Sequence, residues 1–583
     1  KFGGEWEHFT GTGYWGFFDP ARVYLLSPEF LAAINPVLPA LFGLPDGIIH
    51  SAADLNKLPV VAFLLGIGDR AQPAFKLDNA KANERLHFYG QDSWKITPRF
   101  TLNYGLGWEY ESNLLNYDLP KPAYLAPLYG NNLNPPAHQY HNFEPAVGFA
   151  WSLGKSQKTV IRGGAGIFYD TQEGWWRLGE RAVIGDSGRQ FIGNASVVNP
   201  ATGQVFSTAF LNSLRYNYGT FLAQLPTLRA DENTLFPGTG SDPQILLSKQ
   251  ANALGAIYPH NFPTTQAQHF NIGIQREVGA GVVVQADFVY RHSIHTTPGG
   301  FFGASVDFNR FNAIGGPVIP ACTSQAQANN PNAECSSGPI DFWWPGGTAS
   351  YKALLVKVDK RFSRRYQFTA SYAYQDSKSI NDITQNLNNY FATYGPDLPK
   401  QNLNISGSVD LPWKFQISAI SEIASRNPVE PVINGVDLTG TDITSNGYVP
   451  LPGSQYNGFL SHGQLQNLVN QYNSTYAGKP TPAALAGLNP GQVFPKVTLP
   501  SHYNLGHDFT SQDVRVTKTF RFKERYEIRV IGEVFNIFNF GNLTGDSYDL
   551  TTPSTFGLPT QRVGQTFGSG GPRAFQIAAR FSF

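Results

Sequence analysis

Charged side chains recur at every second position of several alternating segments, and they are the first candidates for binding chemistry. Glu109 and Glu111 share the parity of Thr101 and Asn103, whereas leucine and aromatic residues hold the other parity of this segment. Such charges on one wall of a sheet could bind and guide a polar solute. They could equally pair with one another as a charge ladder that stabilises the wall. The candidate set is Glu109, Arg162, Lys357, Asp359, Arg361, Arg529 and Glu533.

Aromatic residues in the long connecting segments form a second candidate set. Their rings present flat apolar faces, so those that reach solvent could stack on sugars or on aromatic ligands. They could instead pack within the loops, or lie at a membrane interface, where Trp and Tyr are enriched. The residues concerned are Trp15, Trp175, Trp176, Trp343, Trp344 and Tyr390.

Signals for catalysis or for a resident cofactor are absent from the sequence. It contains no G-x-S-x-G, H-E-x-x-H or P-loop motif. His292 and His295 lie three residues apart without a carboxylate at ligand spacing, so we expect loop histidines rather than a metal site. The sequence therefore predicts a protein that is not an enzyme and has no cofactor or metal.

The two cysteines favour a disulfide. Cys322 and Cys335 lie in one segment rich in Asn, Ala and Gln, and no histidine or second cysteine pair has metal-ligand spacing beside them. A disulfide between them predicts an oxidising compartment.

Alternation of apolar and polar residues predicts that β-strands position the candidate residues. The segment 100–111 alternates over twelve residues, whereas strands of soluble domains usually have about five or six. A tilted strand needs about 9–11 residues to cross a bilayer. About fourteen segments alternate in this way, and they are 2–8, 86–96, 100–111, 147–153, 161–170, 270–275, 282–291, 354–362, 366–375, 403–411, 415–419, 514–522, 526–534 and 575–583.

The connections between these segments alternate between short and long, and Lys and Arg gather beside the short ones. This asymmetry predicts an all-β fold, a transmembrane antiparallel β-barrel with short periplasmic turns and long extracellular loops. A soluble sandwich or propeller also alternates, but its strands are shorter and its connections lack this asymmetry. The long connections are 9–84, 112–143, 170–265, 292–348, 377–401, 425–509 and 538–570, and a helical pattern lies at 462–476.

Composition agrees with a barrel. The chain has 583 residues, of which 15% are charged and 14% aromatic, and its formal charge of +1 gives no field that would favour nucleic acid. Its mean hydropathy of −0.25 is consistent with a wall that alternates polar and apolar residues. The longest apolar run, 58–68, is shorter than the roughly 20 residues of a spanning helix.

Several stretches resemble the barrel of TonB-dependent outer-membrane receptors, and most closely the Oar-like group with a carboxypeptidase-regulatory-like N-terminal domain. These are FYGQDSWKITPRFTLNYGLGWEYE (88–111), EPAVGFAWSLGKSQKTVIRGGAGIFYD (144–170), YKALLVKVDKRFSRRYQFTASYAYQDSKSIND (351–382), RVTKTFRFKERYEIRVIGEVFNIFNFGN (515–542) and ARFSF (579–583). The resemblance implies a multi-pass barrel in the outer membrane of a Gram-negative cell. It also implies that Phe581 and Phe583 form the signal read by the barrel-assembly machinery.

The resembled family has an N-terminal domain, a TonB-contacting box, a plug and a 22-stranded barrel. Residues 1–583 match only the C-terminal part of that barrel, and the sequence has no Met and no apolar leader at its start. We therefore expect a partial barrel domain that lacks the plug, the box and about eight strands. Its first segment, 2–8, would then present an open edge.

The function implied by the resemblance is uptake or passage of a large or scarce solute. The expected partners are outer-membrane lipid, the TonB system through the plug and box, the barrel-assembly machinery and an unknown ligand, without nucleic acid. The alternative is an outer-membrane scaffold or adhesion protein whose long loops bind a protein or matrix partner. A passive porin is disfavoured, because the family's barrel is plugged.

Overall fold

The structure is a computed structural model that describes most of the sheet and part of the loops. The described residues are 1–9, 81–130, 132–170, 180, 257–297, 305–310, 317–323, 327, 333–336, 340–380, 393–439, 444, 447–451, 457–485, 489–523, 525–564 and 569–583.

One large antiparallel sheet dominates the described chain, and its strands follow the alternating segments of the sequence. Consecutive side chains of a strand point to opposite faces, so each alternating segment gives the sheet one apolar and one polar face. The strands are β1 (Phe2–Phe9), β2 (Asn83–Thr97), β3 (Phe100–Glu111), β4 (Asn142–Leu153), β5 (Thr159–Asp170), β6 (Thr265–Gly279), β7 (Val282–Thr296), β8 (Gly347–Ser363), β9 (Tyr366–Ile380), β10 (Gln401–Leu411), β11 (Phe415–Ala424), β12 (Phe509–Phe522), β13 (Tyr526–Phe535) and β14 (Ala574–Ser582).

Each strand pairs with its neighbours in sequence, so the order in the sheet is β1 to β14 without a crossover. The short strand Tyr394–Pro396 pairs with the end of β9 as a fifteenth member. Among the strands that the structure describes, no pairing joins β1 to β14. The all-β antiparallel architecture and the number of strands confirm the sequence prediction.

The register brings apolar residues together on one face and polar residues on the other. Leu106 and Ile577, both assigned to the apolar face from sequence, have exposed fractions of 52% and 85%. Glu111 and Glu144, on the polar face, have side-chain exposures of only 2% and 16%. The large apolar side chains of the sheet therefore point to the surroundings, whereas these acidic groups are covered by their neighbours.

The two ends of the strands differ in their connections. At one end, here called the short-turn rim, β2–β3, β4–β5, β6–β7, β8–β9, β10–β11 and β12–β13 are joined by a few residues. All long connections lie at the other end, the long-loop rim. This confirms the predicted asymmetry.

Short elements lie between the strands, mostly in the long connections. The helix His462–Thr475 begins with a capping box, in which Ser461 and Gln464 satisfy each other's backbone N–H groups. None of the described helices is long and apolar enough to cross a membrane. The remaining elements are the helices Ala126–Tyr129 and Pro482–Leu485, the 3-10 turns Ala123–Leu125, Phe308–Arg310 and Pro412–Lys414, and the two-stranded pairs Ser305–Asp307 with Asp341–Trp343, Val432–Ile433 with Gly447–Tyr448, and Leu543–Thr544 with Gln561–Arg562.

Most strands extend beyond the predicted segments, and β2 and β7 are two examples. β2 begins at Asn83 rather than at residue 86, and β7 continues to Thr296. His292 and His295 are therefore strand residues, and the expectation of loop histidines is wrong. The reason is pairing, because residues 292–294 and Thr296 of β7 pair with the start of β8, whereas His295 lies at an irregular point of this register.

The long connections contain their own hydrophobic cores. Among the described residues, the largest of these cores is formed by the connections β11–β12 and β13–β14, where Leu465, Val469 and Tyr472 of the helix pack against Val429 and Phe556. We call all the packed connections at the long-loop rim, including those with smaller cores, the loop layer. Their burial shows that the described loops form an ordered structure at the long-loop rim.

Candidate functional site

The polar face of the first strands contains a group of carboxylates around one arginine. Arg85 on β2 lies 2.6 Å from Glu111, 3.1 Å from Glu7 and 3.8 Å from Glu109. Asn83 donates a second hydrogen bond to Glu111, at 2.8 Å. Glu109, a predicted member of the polar wall, therefore belongs to a network that spans β1, β2 and β3.

Arg162 makes an ion pair with Asp287 across an intervening strand. Its guanidinium donates to both carboxylate oxygens of Asp287, at 2.9 and 3.1 Å, and weakly to Gln275 at 3.4 Å. In register, Arg162 of β5 lies beside Gly273 of β6, which lies beside Asp287 of β7. The ion pair therefore spans the position of Gly273. A Cβ atom on residue 273 would lie 1.9 Å from an Asp287 carboxylate oxygen. Only glycine leaves room for this bridge.

Two further candidate residues, Lys357 and Asp359 on β8, form an ion pair with each other. Lys357 lies 2.8 Å from Asp359, which accepts a further hydrogen bond of 2.7 Å from the Thr369 hydroxyl on β9. Arg361 is placed differently, at the short-turn rim, where it is exposed and its backbone N–H donates to the Gly281 carbonyl. In the part of the chain that the structure describes, Arg361 has no ion pair.

The last strands contain a ladder of alternating charges. Arg515 lies 2.5 Å from Glu533, and Glu527 accepts hydrogen bonds from both Arg521 and Arg529. The predicted residues Arg529 and Glu533 thus both have partners, but the partners are Glu527 and Arg515 rather than each other. The structure places six of the seven predicted wall residues in separate pairs or small networks, leaves Arg361 without an ion pair among the described residues, and does not join the set into one cluster.

Some members of these networks were missing from the candidate set. Arg85 lies at the irregular start of β2, and Asp287 has the polar parity of β7 without belonging to the candidate set. Their shared signal was available in the sequence, because each has the parity of polar neighbours within an alternating segment. What the sequence could not supply was the register that pairs them.

The loop aromatics that the structure describes lie in packed surroundings. Trp343 is only 2% exposed and packs with Leu114, Leu115 and Tyr258. Trp344 packs against Ile380 and is half-buried. Trp15, Trp175, Trp176 and Tyr390 lie outside the described residues, so contact of this aromatic set with a ligand stays a prediction.

A buried ion pair joins two long connections in the loop layer. The Lys121 ammonium contacts the Glu180 carboxylate, and both side chains are fully buried. Glu180 also accepts hydrogen bonds from the Asn116 amide, at 2.7 Å, and from the backbone N–H of Tyr258, at 2.9 Å. Nearby, burial and then the charge of Glu180 raise the pKa of Tyr129 well above its ordinary value. Glu180 therefore acts as a polar anchor within an otherwise apolar core.

The cysteines and the terminal aromatic residues occupy defined places. Cys322 and Cys335 form a disulfide in the connection between β7 and β8, where the Cys322 N–H also donates to the Ser336 carbonyl. Phe581 and Phe583 are exposed at the end of β14, and the Phe581 ring stacks on Tyr526 of β13. Their role as an assembly signal stays a prediction.

Comparisons with known proteins agree with this architecture. A family model described as the outer membrane beta barrel domain matches residues 43–576. In the comparison with curated proteins nothing matches.

Similar solved structures include three proteins of the outer membrane. The outer membrane transporter YddB from Escherichia coli has a TM-score of 0.42 and 10% identity, over 87% of this chain and 46% of that one. The ferripyoverdine receptor of Pseudomonas aeruginosa has a TM-score of 0.38 and 10% identity, over 87% of this chain and 40% of that one. A mutant of the ferric enterobactin receptor PfeA of Pseudomonas aeruginosa has a TM-score of 0.40 and 9% identity, over 86% of this chain and 45% of that one. The chain spans less than half the length of each of these structures.

Proposed function

The chain belongs to the outer membrane β-barrel domain family and is a protein of the outer membrane, and we propose that it is the barrel part of a TonB-dependent receptor. In this proposal it takes up a large or scarce solute, and energy reaches it through the TonB system. The Oar-like group, and the division into a partial barrel with a plug elsewhere, are parts of the same proposal.

One observation carries the proposal: the polar face neutralises its own charges beneath a packed loop layer. The pairs Arg162–Asp287, Lys357–Asp359 and Arg515–Glu533 each satisfy a charge on the sheet itself. A wall built in this way is polar without a large unpaired charge of one sign, which suits passage of a solute. The loop layer at one rim supplies the surface on which a ligand could first bind.

The resemblance in sequence supports the energised mechanism rather than passive diffusion. That resemblance rests partly on the stretches 88–111, 144–170 and 515–542. These stretches cover most of the strands β2–β5, β12 and β13 and the residues that directly adjoin them. The barrel-assembly machinery, outer-membrane lipid and an unknown ligand complete the proposed partners. Transport of this kind needs no covalent chemistry, which agrees with the absence of catalytic motifs in the sequence.

The test compares uptake in cells of the native host with three genotypes: wild type, a deletion of this gene and a deletion of tonB. The probes are a radioactive iron chelate, a labelled maltodextrin and a labelled peptide. We expect one probe to accumulate in the wild type and to be lost equally in both deletion strains. Uptake that depends on the gene but not on tonB would refute energised transport. If all uptake persists while adhesion to a protein matrix is lost, the scaffold function replaces this proposal.

A further inference from the structure

The short-turn rim has many cationic side chains for which the described part of the structure shows no carboxylate partner. In the described ranges no ion pair involves Arg364, Arg365, Lys414, Lys518, Lys523 or Arg525. This contrasts with the polar face, where arginines such as Arg162 and Arg515 are paired. The cations of this rim therefore do not serve to neutralise the wall.

The backbone shows that four of these six cations occupy unfavourable positions in the turns. Arg364 and Arg365 form a two-residue turn between paired Ser363 and Tyr366, and both have positive φ, 52° and 73°. Asn-Gly is the usual sequence for such a turn, because other residues strain in the left-handed region. Two further lysines share this conformation, and they are Lys414 and Lys523, with φ of 61° and 46°.

The other rim uses residues that tolerate this conformation. Among the described residues with positive φ near the long-loop rim are Asn536, Asn539 and Asn542. Asparagine enters the left-handed region at low cost, because its short side chain can hydrogen-bond to the local backbone. Among the described residues, Arg and Lys with positive φ lie only at the short-turn rim, where Gln157, Ala280 and Trp413 share this conformation.

Lys518 of β12 lies on the apolar face of the sheet at this rim, with the same parity as Val516 and Phe520. Its ammonium lies 4.3 Å from the centroid of the Phe415 ring and 5.4 Å from that of Phe520. It also donates a hydrogen bond to the Trp413 carbonyl. Its register neighbours are Phe415 on β11 and Val530 on β13, so no carboxylate faces it across either strand.

The surroundings of Lys518 suit a lipid headgroup. Trp413 is 82% exposed at the adjacent turn, next to the exposed Lys414. Phe520 and Phe522 are exposed on the same face of β12. An ammonium at the edge of an apolar surface is placed to bind a phosphate while the acyl chains contact the neighbouring rings.

We propose that the short-turn rim binds anionic glycerophospholipids, and that Lys518 with Trp413 and Lys414 forms one such site. The positive charge of the turns is complementary to a phosphatidylglycerol headgroup. A cell-wall polymer would contact the turn tips, whereas Lys518 lies on the apolar face, where only lipid reaches it. This inference goes beyond the proposed function, because it holds for any solute that the barrel takes up.

The test uses the full chain folded in detergent micelles and titrated with phosphatidylglycerol or with phosphatidylcholine of the same acyl chains. Native mass spectrometry counts the bound lipid. We expect the wild type to prefer phosphatidylglycerol, and Lys518→Gln to weaken that binding by about fivefold, the effect of one cation near an anionic surface. Lys518→Arg should retain it. Binding of phosphatidylcholine should not change.

Lys352→Gln is the matched control. Lys352 also lies on the apolar face over an aromatic ring, with its ammonium 5.7 Å from the Tyr290 centroid, but it is nearer the long-loop rim and faces Asp376 in register. It should bind phosphatidylglycerol like the wild type. If Lys518→Gln does not fold, as judged by heat-modifiable migration on gels, Lys414→Gln at the exposed turn must show the loss.

Three results would overturn the proposal. The first is equal affinity of the wild type for the two lipids. The second is an unchanged affinity for phosphatidylglycerol in Lys518→Gln or, where that variant is unfolded, in Lys414→Gln. The third is an equal loss in Lys352→Gln. Displacement of the lipid by soluble peptidoglycan fragments, with no dependence on Lys518, would assign the rim to the cell wall instead.

Discussion

Replacing Gly273 with alanine should break the Arg162–Asp287 bridge without adding or removing a charge. The new Cβ would lie 1.9 Å from an Asp287 carboxylate oxygen, 2.7 Å from its Cγ and 3.0 Å from the Ala286 carbonyl oxygen. The carboxylate is the end of a side chain and can rotate away, but it then leaves Arg162 with only the weak contact to Gln275. The strand itself needs only a small shift.

The magnitude follows from the exposure of the pair. The side chains of Arg162 and Asp287 are 39% and 13% exposed, so the bridge is partly screened, and its loss should lower the free energy of unfolding by about 1–2 kcal/mol. Alanine in a strand recovers roughly 0.5–1 kcal/mol relative to glycine. The control therefore has to be another glycine-to-alanine change in a strand, which gives the same gain in stability without a clash with a neighbouring side chain.

Gly532 provides that control, because it lies in β13 and a Cβ there would meet nothing within 4 Å. Both variants are unfolded with urea in lipid vesicles, and unfolding is monitored by tryptophan fluorescence. The free energy of unfolding of Gly273→Ala should be about 1–2 kcal/mol lower than that of Gly532→Ala. Adding Arg162→Gln to Gly273→Ala should cost little more, since the bridge is already broken. Equal stability of the two alanine variants, or full additivity with Arg162→Gln, would refute the account of Gly273.

Three further predictions concern the turns and the loop layer. Replacing Arg364 and Arg365 together with Asn-Gly should raise the free energy of unfolding by about 1–2 kcal/mol in urea titrations, because the left-handed strain is relieved; a loss of stability would contradict the strain argument. Lys121→Met should leave Glu180 charged and buried, destabilising the loop layer by about 3–5 kcal/mol; limited proteolysis should then cut the loops faster while the strands stay protected, and an unchanged cleavage rate would be the contrary result. Cys322→Ser should release a short closed loop and cost about 3 kcal/mol locally, again measured as faster proteolysis, and the same cleavage pattern as in the wild type would argue against it.

The strands and their faces could be predicted from sequence because both depend on local parity. Residues 100–111 were predicted to alternate and form β3 with these bounds, and Leu106 is exposed on the apolar face as expected. The helix predicted at 462–476 is found at His462–Thr475, since its cap Ser461 lies directly before it. Signals of this kind act over a few residues, so a single sequence contains them.

Pairing between distant residues could not be predicted in the same way. Arg162 and Asp287 are 125 residues apart, and their contact depends on the register of three strands and on the missing side chain of Gly273. Trp343 and Trp344 are neighbours in sequence, yet they pack into different clusters. Tertiary packing of separate connections decides such outcomes, and no local pattern encodes it.

The distribution of paired and unpaired charge separates two tasks within one sheet. On the polar face, Arg515 and Glu533 satisfy each other on adjacent strands, so these wall charges are occupied by the wall. At the short-turn rim, Lys518 contacts a backbone carbonyl and aromatic rings, and among the described residues neither Lys518 nor Arg364 has an ion pair. Charges that are already paired interact only weakly with a solute, so under the proposed uptake function we expect the loop layer to discriminate between solutes. The rim cations that have no ion pair among the described residues are then available to the membrane. If the proposed uptake function holds, changes to them should alter lipid binding without altering the choice of solute.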